Sequence, residues 1–165
     1  MTNFAERQRF TELSDTVYRL LREDGYRRVK SVTGIRTYHN PRQNMYLEVE
    51  PNARLRIDRD EFGGTPAETR GTYVTFMLEG KVDDSLTELG YRSLLKNFKD
   101  EANARLQSYG VKVAGISYPG LNGRKELRAS RILLEYNTNI KPLNVILAIQ
   151  EVKNMFYGTF SKYIK

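Results

Sequence analysis

The sequence predicts one α+β domain, a mainly antiparallel sheet flanked by two or three helices. Three observations predict it. Apolar residues recur at helical spacing in three separated stretches. Between them, residues 71–82 alternate strictly from face to face, the period of a half-buried strand. The whole chain of 165 residues, with no internal repeat, low-complexity tract or linker, suits a single core.

The elements follow in order. Residues 3–24 place Phe10, Leu13, Val17, Leu20 and Leu21 on one helical face, with Glu12, Asp15, Arg19 and Arg22 elsewhere. Asn3 and Glu6 form a capping box, and Gly25 is the stop. From Tyr26 to Tyr38, Val29, Val32, Thr33, Ile35 and Thr37 favour an extended chain, and His39-Asn40-Pro41-Arg42 reads as a turn. Met45–Glu50 and Ala53–Asp58 alternate on either side of Pro51-Asn52, which leaves a hairpin or one long strand bulged at Pro51. Residues 61–71 form the most loop-like segment.

In Gly71–Val82, Val74, Phe76 and Leu78 share one face, and Tyr73, Thr75, Met77, Glu79 and Lys81 the other. Asp83 and Asp84 lead into Ser85-Leu86-Thr87-Glu88, a capping box for a helix that buries Leu95, Phe98, Ala102, Leu106 and Tyr109 and ends at Gly110. Val111–Tyr118 is a short strand, Pro119–Lys125 a loop, and Arg128–Asn137 an inner strand built on Ile132-Leu133-Leu134. Pro142 suits the first position of a last helix, with Val145, Ile149, Val152, Phe156 and Phe160 in one stripe and Gly158 as a break or bend. The order is α-β-β-β-α-β-β-α, with residues 142–165 a C-terminal helix and tail.

Composition removes much enzyme chemistry. The absence of Cys excludes disulfides, thiolate zinc sites and thiol nucleophiles, and fits a reducing compartment. His39 is the single histidine, so paired-histidine metal sites are impossible, and it sits in a turn with no serine nucleophile motif near it. Glycines at 63–64 and 120–123 match no phosphate-cradling pattern. No metal or cofactor is expected. The start of the chain lacks an apolar run and nowhere do 18 apolar residues follow one another, so the expected place is the cytoplasm, then an assembled particle if the source is viral, without a membrane.

Net charge is +7, which points to polyanionic or acidic partners. Between Tyr26 and Leu47 there are five cations (Arg27, Arg28, Lys30, Arg36, Arg42), no acid, and Tyr26, Tyr38 and Tyr46 interleaved. Cations neutralise phosphates and tyrosine faces stack on unpaired bases, so this stretch is a candidate contact for nucleic acid or an acidic protein face. Arg124, Lys125, Arg128 and Arg131 are a second cluster that extends it. At the end of the chain Phe156, Tyr157, Phe160 and Tyr163 stand beside Lys162 and Lys165, a composition suited to docking on another subunit. The alternative is that this tail folds back onto its own domain.

Glu48, Glu50, Asp58, Asp60 and Glu61, followed by Glu79-Gly80-Lys81, form a pattern similar to the metal site of PD-(D/E)xK nucleases, whose core order is shared. Pairing 53–60 with 71–82 about a loop near residue 65 sets Glu79 opposite Asn52, with Asp58 roughly 20 Å away. Only Glu50 then approaches Glu79 and Lys81.

The order of elements over residues 3–137 also resembles bacteriophage tail-terminator and neck proteins. The parallel runs through the helix of Leu13, Val17 and Leu20, the strand Tyr73–Val82, the helix of Leu95, Phe98 and Leu106, and the strand Ile132–Tyr136. The resemblance implies a non-enzymatic, ring-forming joint that binds copies of itself and neighbouring rings through loops and termini. The 63–71 loop and the tail are the expected subunit contacts. Three readings result: a homo-oligomeric structural protein of a larger particle, a nucleic-acid-binding protein working through strands 27–47, and a nuclease using Glu50, Glu79 and Lys81.

Overall fold

A computed structural model describes residues 15–29, 36–54, 69–137 and 139–165. Helix α1 is described over 15–23. Strands β1 (Arg27–Val29), β2 (Arg36–Asn40), β3 (Met45–Arg54) and β4 (Thr69–Glu79) follow, then helix α2 (Glu88–Leu106). Strands β5 (Val111–Ser117) and β6 (Glu126–Asn137) and helix α3 (Pro142–Phe160) complete the order. The expected class and order hold, with two short strands described in the first extended stretch. Lys30, the Asn3–Glu6 cap and residues 55–68, which include Asp58, Asp60, Glu61 and most of the 63–71 loop, lie outside the described residues.

The six strands form one antiparallel sheet in the order β1-β2-β3-β4-β6-β5. β1 to β4 is a meander of sequence neighbours. α2 then carries the chain across to the far edge, so β6 comes back between β4 and β5 and is buried between two partners. That position explains its apolar run, because Leu127, Ala129, Ile132 and Leu134 are fully buried. β3 is the long bulged strand rather than a hairpin, with the register shifting between Glu50 and Ala53 around Pro51, which has no N–H for the ladder.

All three helices pack on one face. Tyr38, Met45, Leu47, Val74, Phe76, Leu78, Ile132 and Leu134 point to that side and are buried. Phe76 stacks on Phe156 of α3 at 5.4 Å, Tyr38 meets Tyr18 of α1 at 5.9 Å, and Phe98 of α2 packs edge-on to Phe156 at 6.2 Å. The Tyr91 hydroxyl on α2 donates to the Arg128 carbonyl of β6, and the buried Thr72 and Tyr136 hydroxyls pair at 2.8 Å. Among the described residues, no helix is long and apolar enough to cross a membrane.

Several expectations need correction. α2 begins at Thr87, whose hydroxyl accepts from the Gly90 N–H at 3.0 Å, and not at Ser85. The Asp83 carboxylate takes the Ser85 N–H instead, and those bonds hold its pKa below the usual carboxylate range. The turn after β2 spans residues 41–44, so His39 and Asn40 belong to the strand. α3 runs through Gly158 without a break; that position is exposed and a helix tolerates glycine at a cost of about 1 kcal/mol.

The tail is folded onto its own domain. Phe156 and Phe160 are 0% exposed, so they offer no surface to a second subunit. Beyond α3, Ile164 bridges Val82, and the Lys165 N–H donates to the Lys81 carbonyl at 2.9 Å. Gly80 makes room for this. Its φ is +145°, and an added Cβ would stand 2.4 Å from Ile164 Cγ2.

Candidate interaction surface

With the helices on one side, the other face of the sheet carries no described helix. Alternation puts the second side chain of each strand pair there, and the register aligns them in rows. One row crosses five strands: Arg27 opposite His39, His39 opposite Tyr46, Tyr46 opposite Met77, Met77 opposite Arg128. His39 stacks on Tyr46 with ring centroids 4.2 Å apart, and an Arg128 guanidinium nitrogen lies 3.3 Å from Met77 Sδ. Further rows contain Thr37, Glu48 and Thr75, then Glu50, Tyr73 and Leu133, then Glu135 and Lys112. At the bulge in β6, Arg131 takes φ +49° and sets its guanidinium over the Tyr73 ring at 4.6 Å. Most of these side chains are half-buried rather than fully exposed, standing against one another in an ordered array.

The electrostatics of this face differ from those of the whole chain. It carries the carboxylates Glu48, Glu50, Glu79, Glu126 and Glu135 against the cations Arg27, Lys112, Arg128 and Arg131. On a molecule of net charge +7, it is therefore a zone of balanced charge. Aromatic, Met and Arg side chains amid mixed charge are the composition of protein–protein contacts.

Both edges of the sheet resist extension. β1 is three residues long and carries exposed Arg27 and Arg28. On β5, Asn103 of α2 reaches across to Val113, its amide donating to the carbonyl at 3.2 Å and accepting from the N–H at 2.6 Å. That side chain occupies the backbone groups a further strand would need, and two bulges interrupt the rest of β5.

The cations singled out from the sequence do not form one site. Arg27 and Arg128 stand at opposite ends of the five-strand row, about 19 Å apart at the usual strand spacing. Arg28 and Arg36 lie on the helix side beside Tyr38, whose phenol is raised by burial and drawn partly back by these two charges. Arg42 is exposed in the turn, Lys125 is exposed in the loop before β6, and Arg124 is turned inward. The Arg124 guanidinium donates to the carbonyls of Asp83 and Leu86, clamping the approach to α2. Tyr157 and Tyr163 are half-buried, and of the tail only Lys162 and Lys165, both cations, are exposed among the residues singled out.

The nuclease constellation is not brought together either. Glu50 pairs with Tyr73, six residues and roughly 20 Å along β4 from Glu79. Glu79 donates its N–H to the Asn44 carbonyl and faces Glu126 on the other side, so it is not opposite Asn52. Glu79, Lys81, Asp84 and Glu126 line an open cleft of about 730 Å³, but no group of three His or carboxylate side chains suited to a metal occurs among the described residues. Alternation in residues 71–82 already exposed the Tyr73–Thr75–Met77 face; His39, Tyr46 and Leu133 join it only through the strand register. No protein-family model, no curated protein and no solved structure matches the chain.

Proposed function

We propose that this protein is a non-enzymatic structural subunit that self-associates through the face of its sheet that no described helix covers. The observation that carries the reading is that face itself: a row of Arg27, His39, Tyr46, Met77 and Arg128, with charge balanced in the flanking rows. Its occupant is a second copy of the chain. Elsewhere the excess of cations makes two copies repel, whereas here carboxylates and cations match and like surfaces approach without penalty. At ordinary strand spacing and rise the face spans on the order of 700 Å², close to the ~800 Å² per partner of a stable pair. Blunted edges direct association to this face and away from sheet extension. A face-to-face contact of this kind closes a two-fold pair, a building block for a larger particle such as the phage tail or neck proteins that the order of elements also resembles.

Size-exclusion chromatography with light scattering tests the reading. The expected result is an oligomer at about 100 μM, above the ~1 μM dissociation constants that such areas support at their weakest. Met77→Glu, beside Glu79 and Glu126, is expected to return it to the 19.2 kDa monomer without loss of fold. Leu143→Glu, exposed on α3, leaves the oligomer intact. A wild-type monomer at that concentration overturns the proposal.

A further inference from the structure

The rim where α2 flanks β5 holds cations that are not ion-paired among the described residues. Three contacts fix which face of α2 looks along this rim: Glu88 accepts from the Leu121 N–H at 2.9 Å, Arg92 lies over the Tyr118 ring at 5.6 Å, and Asn103 bonds Val113. Lys96 and Lys99 fall on the same helical stripe between them, since residues three and four apart share a face. Among the described residues, Arg92, Lys96 and Lys99 make no ion pair, while Arg105 on the opposite flank is bound to Glu101 and Glu151. Asp100 follows Lys96 by one turn and Glu88 precedes Arg92 by one, but among the described residues neither carboxylate forms an ion pair with these cations, and Glu88 accepts the Leu121 N–H instead.

We infer that this strip is a binding site for single-stranded nucleic acid, distinct from the sheet face. Arg92 to Lys99 spans about 10 Å of helix, enough for two successive phosphates. At its end stands Tyr118, 47% exposed after β5, a large aromatic surface left in water. A ring there, with a guanidinium over it, stacks on an unpaired base. The exposed ring selects a single strand over a duplex, whose bases are already stacked, and over an acidic peptide, which offers charge but no base.

The test is fluorescence anisotropy with a labelled oligo-dT of about ten nucleotides, between about 50 and 200 mM salt. Wild type is expected to bind. Lys96→Gln with Lys99→Gln should weaken binding at least about five-fold and reduce the salt slope by about 1.4, the single-strand value for two phosphates. Tyr118→Ala should weaken it about ten-fold. Arg19→Gln with Arg22→Gln removes the same charge from exposed positions of α1 and should change it less than two-fold. Met77→Glu should leave it unchanged, which separates this site from the proposed subunit contact. Unchanged melting of each variant secures the comparison. Three results overturn the inference: no binding at the lowest salt, equal loss in the α1 control, or equal affinity for labelled polyglutamate with no effect of Tyr118→Ala.

Discussion

Lys153 is a charged side chain only 3% exposed, and its surroundings explain how the core tolerates it. Its Nζ sits 2.5 Å from Asp24 Oδ2 and 5.1 Å from the centre of the Tyr26 ring. The pair is lopsided, because Asp24 is half-exposed and Lys153 is not. Removing the carboxylate therefore leaves an ammonium in the interior, whereas removing the ammonium leaves a carboxylate that water can reach. Asp24→Asn is expected to cost about 2 kcal/mol, and Lys153→Met to stay within about 1 kcal/mol of wild type, read from urea midpoints. Two equal losses would show that the partners share the burden. No local pattern marks this site: position 153 lies on the flank of the apolar stripe of α3, and its partner is 129 residues away.

At the scale of elements, Asn103 is the side chain that finishes β5. Substituting Asn103→Ala strips Val113 of both partners and is expected to cost about 1–2 kcal/mol. Because the freed edge accepts another strand, the variant should also form concentration-dependent species by light scattering that Met77→Glu does not remove. Helices and strands were legible where periodicity was strong: α2 from Leu95, Phe98 and Ala102, β4 from Val74, Phe76 and Leu78. Their ends were less so. The capping box at Ser85 places the start of α2 two residues early: the Ser85 N–H goes back to Asp83, and Thr87 takes the Gly90 N–H as the cap. The tail misled for a related reason, since Phe156 and Phe160 look surplus until α2 supplies Phe98 and Tyr91 to pack against them. The face that no described helix covers depends on which strands adjoin, and β6 beside β4 is a long-range pairing that local pattern does not encode.

Across the whole molecule, buried phenols set a limit on the alkaline side. Tyr26, Tyr38 and Tyr91 all have their pKa raised, in each case chiefly by burial, with Asp24 adding to the rise at Tyr26. Their folded values exceed the unfolded value near 10, so the unfolded chain loses these protons first. Stability is thus fully present below about pH 10 and falls as pH rises beyond it. A titration followed at the phenolate band and by circular dichroism should show Tyr26, Tyr38 and Tyr91 ionising only as the fold is lost. Ionisation with the fold intact would mean that water reaches them. Tyr38 should contribute least, held back by Arg36 and Arg28.

The place of β6 governs how the molecule is reached as well as what it is. Thr72 of β4 lies beside Leu134, with α2 and β5 both intervening in the chain. The meander from β1 to β4 needs only near neighbours, but its last strand, eleven residues long, then waits with a bare margin for a partner made much later. Closing so long a loop is slow, and an unpaired strand of that length is the most adhesive thing the chain ever displays. The hazard of aggregation belongs to this interval in folding, and it ends when β6 slides into the gap.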